Sequence, residues 1–241
     1  MPPACEISSP SLSGVDARFA GQVIRAQRPA RGFTLIELML VVAIIVVLAA
    51  FAVAGIIGAK QRAAIARAKA DLSLIAQALE DYRRHYGDYP QTGAAAQANA
   101  TVTSTVGSTQ AQALLFNALT GVYGPTNFTT RLNGPTLIDL SKFSLEVTFT
   151  TAQLATFAIP TGSPPAKPLV ANSFLDPWGN RYLYYYKNAR STASWQAPAY
   201  VLYSAGPDGA QTPPSVSTGL YSGTTQTTGT NADNIYADKL P

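Results

Sequence analysis

Charge is the first thing this sequence is short of. Only 12% of its 241 residues are Asp, Glu, Lys or Arg, about half the share usual in soluble domains. Cys5 is the only cysteine and His85 the only histidine. That excludes an intrachain disulfide, a Cys–His nucleophile pair and any His-rich metal site, but not carboxylate catalysis. No proline stands between Pro29 and Pro90, so nothing there obliges a helix to break. Charge of one sign is also lacking. Arg18, Arg25, Arg28 and Arg31 against Glu6 and Asp16 give the first 32 residues +2, and the other 13 basic and 11 acidic residues add another +2. The pI near 9.2 therefore reflects a small, divided excess. It is no argument for a nucleic-acid partner, and none is expected.

What the sequence does have is one long apolar run. Met39 to Ala59 is 21 residues without a charge, enough to cross a bilayer as a helix. Its twelve Leu, Ile, Val and Phe residues favour insertion by about 5 kcal/mol. Glu37, just ahead of the run, costs less than the roughly 3 kcal/mol of a mid-membrane carboxylate. Insertion wins with Glu37 included. Arg18, Arg25, Arg28 and Arg31 before the span and Lys60, Arg62, Arg67 and Lys69 after it leave orientation almost tied. A secretory signal peptide has a shorter apolar region and a small-residue cleavage site after it. Here the run is too long, and Gly32 precedes it.

"RGFTLIELMLVVAIIVVLAA", from Arg31, resembles the cleavage and methylation motif of type IV pilins and type II secretion pseudopilins. The resemblance implies cleavage between Gly32 and Phe33 by the prepilin peptidase on the cytoplasmic side, and N-methylation of Phe33. It also settles the orientation, and it makes Glu37 the fifth mature residue. In a fibre, Glu37 then approaches the Phe33 amine of a neighbouring subunit, and two charges that are each costly in lipid become cheaper as a pair. The bland reading of Glu37 is a carboxylate that snorkels to the interface. The family often has a proline near Ala54; this chain has Gly55 and Gly58 instead, each lowering helix propensity by roughly 1 kcal/mol. The 32-residue leader is long for the group, and a start at Val23 would leave ten basic-leader residues.

Beyond Lys60 the helical pattern changes face. Ile65, Leu72, Ile75, Leu79, Tyr82 and Tyr86 form one apolar stripe. A helix from Phe33 to about His85 is expected, roughly 80 Å long at 1.5 Å per residue. Gly87 and Pro90 end it, and "HYGDYP" adds to the resemblance. His85 reads as a surface residue at the helix end. Residues 92–109 read as loop. Gln110 to Leu119 reads as a short helix. Phe143, Leu145, Val147 and Phe149 alternate as a strand does. Arg181 to Lys187 and Ala199 to Ser204 read as strands.

"LDPWGN" and "YSAGPDG" resemble the C-terminal half of the type II secretion major pseudopilin, a family with a calcium site in this loop. By position the resemblance implies Asp208, Asp233 and Asn234 as ligands, with Ser204 through its carbonyl. Calcium takes six to eight oxygens, which suits such donors. Two departures stand against it. Asn234 replaces an acid, and a polar insert, Gly209 to Thr230, separates Asp208 from Asp233. That insert reads as a surface loop. Without metal, Pro207-Asp208-Gly209 is a bare turn.

The fold expected is α+β, with a long N-terminal helix packed on a small antiparallel C-terminal sheet, the pilin fold. Its organisation is a leader over 1–32, a membrane half over 33–59, an amphipathic half over 60–88, a variable region over 89–170, and sheet with calcium loop over 171–241. The function implied is a structural subunit of a type II secretion pseudopilus, not an enzyme. The subunit is anchored once in the bacterial inner membrane, with its C-terminal domain in the periplasm. Its implied partners are copies of itself in a helical polymer, the prepilin peptidase, minor pseudopilins, the inner-membrane assembly platform and membrane lipid. The alternative is a type IV pilin of a surface fibre for adhesion, motility or DNA uptake. The remote alternative is a membrane-tethered periplasmic enzyme drawing on Asp139, Glu146, Asp176 and Asp208.

Overall fold

A 52-residue helix, α1 (Leu35–Tyr86), dominates the computed structural model, which describes residues 32–92, 95–125, 131–157, 167–187 and 195–237. Within α1 the side chains of residues 52–57, including Ala54 and Gly55, lie outside that description, as do the leader residues with Cys5 and Val23. The chain divides into two units, Met1–Phe51 and Ala52–Pro241.

In the first unit the apolar residues of α1 are exposed throughout, from Leu35 at 76% to Phe51 at 74%, as is Phe33 before it. Among the described residues no helix is long and apolar enough to cross a membrane.

The second unit forms around the later turns of α1. Leu72, Ile75, Leu79 and Tyr82 are buried on the expected stripe, Ala68 and Ala78 join them, and Ile65 and Tyr86 pack at its edge. Arg83, Arg84 and His85 fill the last turn, where basic groups suit the helix dipole. Gly87, at φ +83°, follows. α2 (Ala111–Leu119) is buried on every face, so its short length is compensated by packing rather than by an amphipathic pattern.

Residues 143–149 do not form the strand that their alternation suggests. Only β1 (Ser144–Leu145) pairs as a strand, antiparallel with β2 (Phe174–Leu175). The chain then turns into α3 (Thr151–Ala155), because Thr150 and Gln153 make a reciprocal capping box. That local helix signal overrides the period-2 pattern.

The second sheet is β3 (Leu183–Tyr185), β4 (Val201–Ser204) and β5 (Ile235–Tyr236), in that order and antiparallel. Its two faces separate by strand period. Tyr182, Tyr184, Tyr186, Tyr200 and Leu202 join the core with α1. Leu183, Tyr185, Val201 and Tyr203 form a second cluster, against Ala100, Ala197, Trp195, Tyr221 and Tyr236. Three of the inner tyrosines satisfy their hydroxyls while burying their rings, whereas the buried Tyr200 hydroxyl has no hydrogen-bond partner among the described residues. Tyr182 donates to Asp71 at 3.2 Å, Tyr184 to the Pro90 carbonyl at 3.0 Å and Tyr186 to Asp88 at 2.8 Å.

Candidate functional site

Two places carry the expected functional residues, one in each unit. In the first unit Gly32 and Phe33 precede the helix, exposed, with no side-chain atom within 4 Å of where a Gly32 Cβ would stand. Thr34 begins α1. Its Oγ1 accepts from the Glu37 N–H at 3.3 Å, and its own N–H donates to Glu37 Oε2 at 3.4 Å. This is a capping box, Thr-x-x-Glu; it satisfies the Thr34 N–H and adds to the bond that the Glu37 N–H already makes to the Thr34 carbonyl at 3.1 Å. Glu37 therefore has a role inside its own subunit, in addition to the one implied by the resemblance. The signal for it was in the sequence, since Thr and Glu stand three apart directly before the apolar run.

In the second unit the core of the site is the turn between β4 and the insert. Asp176 is buried in the Asp176–Asn180 turn. Its Oδ1 accepts from the N–H groups of Trp178 (3.0 Å) and Asn180 (2.8 Å), and its Oδ2 from the Ser204 hydroxyl (2.5 Å). Burial raises the Asp176 carboxyl above its ordinary range, partly opposed by these hydrogen bonds. Ser204 Oγ in turn accepts from Gly206 N–H at 3.1 Å, and Asn180 donates to the Gly206 carbonyl at 2.9 Å. The two stretches singled out in the sequence, "DPWGN" and "SAGPDG", are thus one hydrogen-bonded corner.

The insert returns to this corner. Gly206 has φ +71°, and a Cβ there would lie 2.5 Å from the Asp233 carbonyl oxygen and 2.7 Å from Asp233 Oδ2. Next to Asp233, Asn234 Oδ1 is buried with no hydrogen-bond partner. Asp208 is exposed, and its Oδ1 accepts from Ala210 N–H at 2.8 Å. Ser204 pairs with Ile235 across the β4–β5 ladder. Asp233 and Ser204 therefore meet at the Gly206 turn, Asn234 follows Asp233 in the chain, and Asp208 stands exposed two residues past Gly206. Among the described residues no group of three or more His, Cys, Asp or Glu side chains is placed to hold a metal ion. An ion here needs amide and carbonyl oxygens, and the unpartnered Asn234 Oδ1 is such a donor. The residues present fit a hard cation on that count.

The carboxylates considered for catalysis have other partners. Asp139 accepts from Ser141 N–H at 3.1 Å and Ser141 Oγ at 2.6 Å. Glu146 is locked to Arg181, which is 2% exposed, by two hydrogen bonds of 2.7 Å. Burial alone would raise the Glu146 carboxyl, but Arg181, Ser173 and the Val106 N–H outweigh it and hold it below its usual range. Arg181 also donates to the carbonyls of Asn99 (2.8 Å) and Ser104. This pair staples the loop after α1 to β1 and β3. No spacing along the chain signals it, because its partners lie 35 residues apart.

Residues 27–53 match the family model of the prokaryotic N-terminal methylation motif. The chain is 39% identical over 69 residues to the type II secretion system core protein G of Escherichia coli (strain K12). The match covers 29% of this chain and 48% of that protein, so the chain spans about half the length of the curated relative. No solved structure matches.

Proposed function

On the premise that the chain is pilin-like, we propose that it is a structural subunit of a type II secretion pseudopilus. The similarity to core protein G carries this reading, since that protein is named as a secretion system component. The motif over residues 27–53 supports processing before Phe33. In this reading the leader is removed, Phe33 is methylated, and residues 39–59 hold the subunit in the inner membrane until it joins a helical fibre in the periplasm. The exposed apolar face from Phe33 to Phe51 is then covered first by lipid and afterwards by the helices of other copies. Growth of the fibre does mechanical work on exported protein. A surface fibre is the other outcome. Deleting the gene tells them apart: loss of secretion with intact surface fibres supports the pseudopilus, and the reverse supports a type IV pilin.

Processing has its own test. Mass spectrometry of the mature protein is expected to find a methylated Phe33 as the first residue. A mature start at Met1, or beyond Ala59, overturns the reading. A peptide from residues 2–20 in the uncleaved precursor rules out initiation at Val23.

A calcium ion belongs to the same proposal. Asp233, Asn234 through Oδ1, Asp208 and the Ser204 carbonyl would hold it, and the ion would supply a hard positive charge that binds the returning chain to the Gly206 turn.

A further inference from the structure

The polar insert poses a geometrical problem for any ligand set that includes both Asp208 and Asp233. The two are separated by 24 residues, and closing a loop of that length is cheap in entropy, because the cost grows only with the logarithm of its length. Cheap closure does not by itself bring the far end back to one place. Something must hold it there.

Asn231 is that holding point. It is buried, 1% exposed, in a short 3-10 turn (Gly229–Asn231) just before Asp233. Its Oδ1 accepts from Thr212 N–H at 2.7 Å, and its Nδ2 donates to the Thr212 carbonyl at 2.9 Å. Those two bonds tie the end of the insert to its beginning. Nδ2 also donates to the Thr225 carbonyl at 2.6 Å, fixing the insert's middle. Finally, Oδ1 accepts from Asn234 Nδ2 at 3.0 Å. An amide group has two donor hydrogens and two acceptor lone pairs, and here all four are used.

The last of these bonds matters most. An Asn side chain offers an oxygen on one side and an NH2 on the other. By taking the NH2 of Asn234, with the Tyr236 hydroxyl also near it at 3.4 Å, Asn231 fixes which way the Asn234 amide faces. Oδ1 is left buried and unpartnered, on the residue that follows Asp233, whose carbonyl and carboxylate close over Gly206. A buried acceptor without a donor is destabilising, and a cation removes that cost.

We infer that Asn231 is a positioning residue for the cation site: it clasps the insert so that Asp233 returns to the Gly206 turn, and it orients Asn234 so that Oδ1 faces the ion. The inference rests on the calcium expectation above, not on the choice between pseudopilus and surface fibre. Asn231 touches the ion at no point. Its effect runs through Asn234 and Asp233, as the partners behind metal ligands generally act.

The experiment compares thermal unfolding of the detergent-solubilised full chain in millimolar calcium chloride and in chelator. Calcium at a hundred times its dissociation constant is expected to raise the wild-type midpoint by about 5–10 °C. Asn231→Ala is expected to lose at least half of that increment, and to weaken terbium binding, read by tyrosine-sensitised luminescence, by ~10–100-fold. Asn231→Ser, which keeps a small polar side chain, serves if the alanine variant does not fold. A midpoint lowered equally in calcium and in chelator, with the calcium increment intact, would mean that Asn231 only supports the loop, and would overturn the inference. A wild-type midpoint indifferent to calcium would overturn it too. A wild-type calcium response in a protein later shown to build surface fibres leaves it standing.

Discussion

Thr34 and Glu37 bring two physical roles onto one carboxylate. Inside the subunit Glu37 closes a capping box with Thr34; in a fibre it is the proposed partner of a neighbour's Phe33 amine. Glu37→Gln separates the roles, because an amide still serves in a capping box but carries no charge. Both Glu37→Gln and Glu37→Val are expected to insert into the membrane and to fail in fibre assembly when no wild-type subunit is present, scored by electron microscopy. Normal fibres from Glu37→Gln alone would mean that the cap, and not the charge, is what assembly needs. Glu146 is a second residue whose worth is readable from its surroundings. Removing one member of a buried ion pair costs about 3–5 kcal/mol, so Glu146→Gln is expected to lower stability by that order in urea unfolding. The pH dependence has a definite sign. A carboxyl held below its ordinary range contributes stability above its unfolded value, near 4.5, and loses it as pH falls through the lower folded value. The wild type is therefore expected to lose stability on acidification below about pH 4.5, and Glu146→Gln to lose less over the same interval. Asp71 and Asp176, whose carboxyls burial raises, work in the opposite direction, since there the folded state binds the extra proton.

At the scale of elements, the insert after Gly209 has a role beyond carrying Asn231. The outer face of the β3–β4–β5 sheet is apolar, with Leu183, Tyr185, Val201 and Tyr203 all buried. A solvated face would alternate with polar residues. Tyr221 from the insert packs on that face, and Tyr203 donates to Gln211 at 2.7 Å. The insert is therefore a cover. Replacing residues 213–227 by a short Gly-Ser linker is expected to expose the face, raise binding of a hydrophobic dye and promote aggregation. The same measurement on Tyr221→Ser should give a smaller effect in the same direction. On the other face α1 supplies the core stripe. Leu79→Ala, at a fully buried position, is expected to cost about 2–5 kcal/mol in denaturant unfolding.

For the whole molecule, the two units present opposite surfaces to their surroundings. The unit from Ala52 onward buries its apolar side chains against its own helices and sheets. The unit up to Phe51 leaves Leu35 to Leu48 and Phe51 largely exposed, a surface far more apolar than water tolerates in a lone protein. That contrast supports a lipid or helical partner. Each lysine at the middle of a membrane helix costs about 3 kcal/mol, against roughly 5 kcal/mol favouring insertion here. The double change Val46→Lys with Leu48→Lys is therefore expected to move the chain out of the carbonate-resistant membrane fraction, and Val46→Lys alone to leave most of it there. Both variants recovered unchanged from membranes would remove the anchor reading.

The sequence by itself determined what depends on local order. A stripe at helical spacing placed Leu72, Ile75, Leu79 and Tyr82 in the core, and Gly87 with Pro90 marked the end of α1, because helix periodicity and backbone stops are properties of neighbours along the chain. Arg31 to Glu37 carried the processing motif and the capping box for the same reason. Alternation misled at 143–149, where a capping box only a few residues long redirected the chain. Tertiary structure alone decided what depends on distant partners. No spacing joins Glu146 to Arg181, Ser204 to Asp176, or Asn231 to Thr212. Each pair forms because a buried polar group must find a partner, and which partner comes within reach is set by the path of the folded chain.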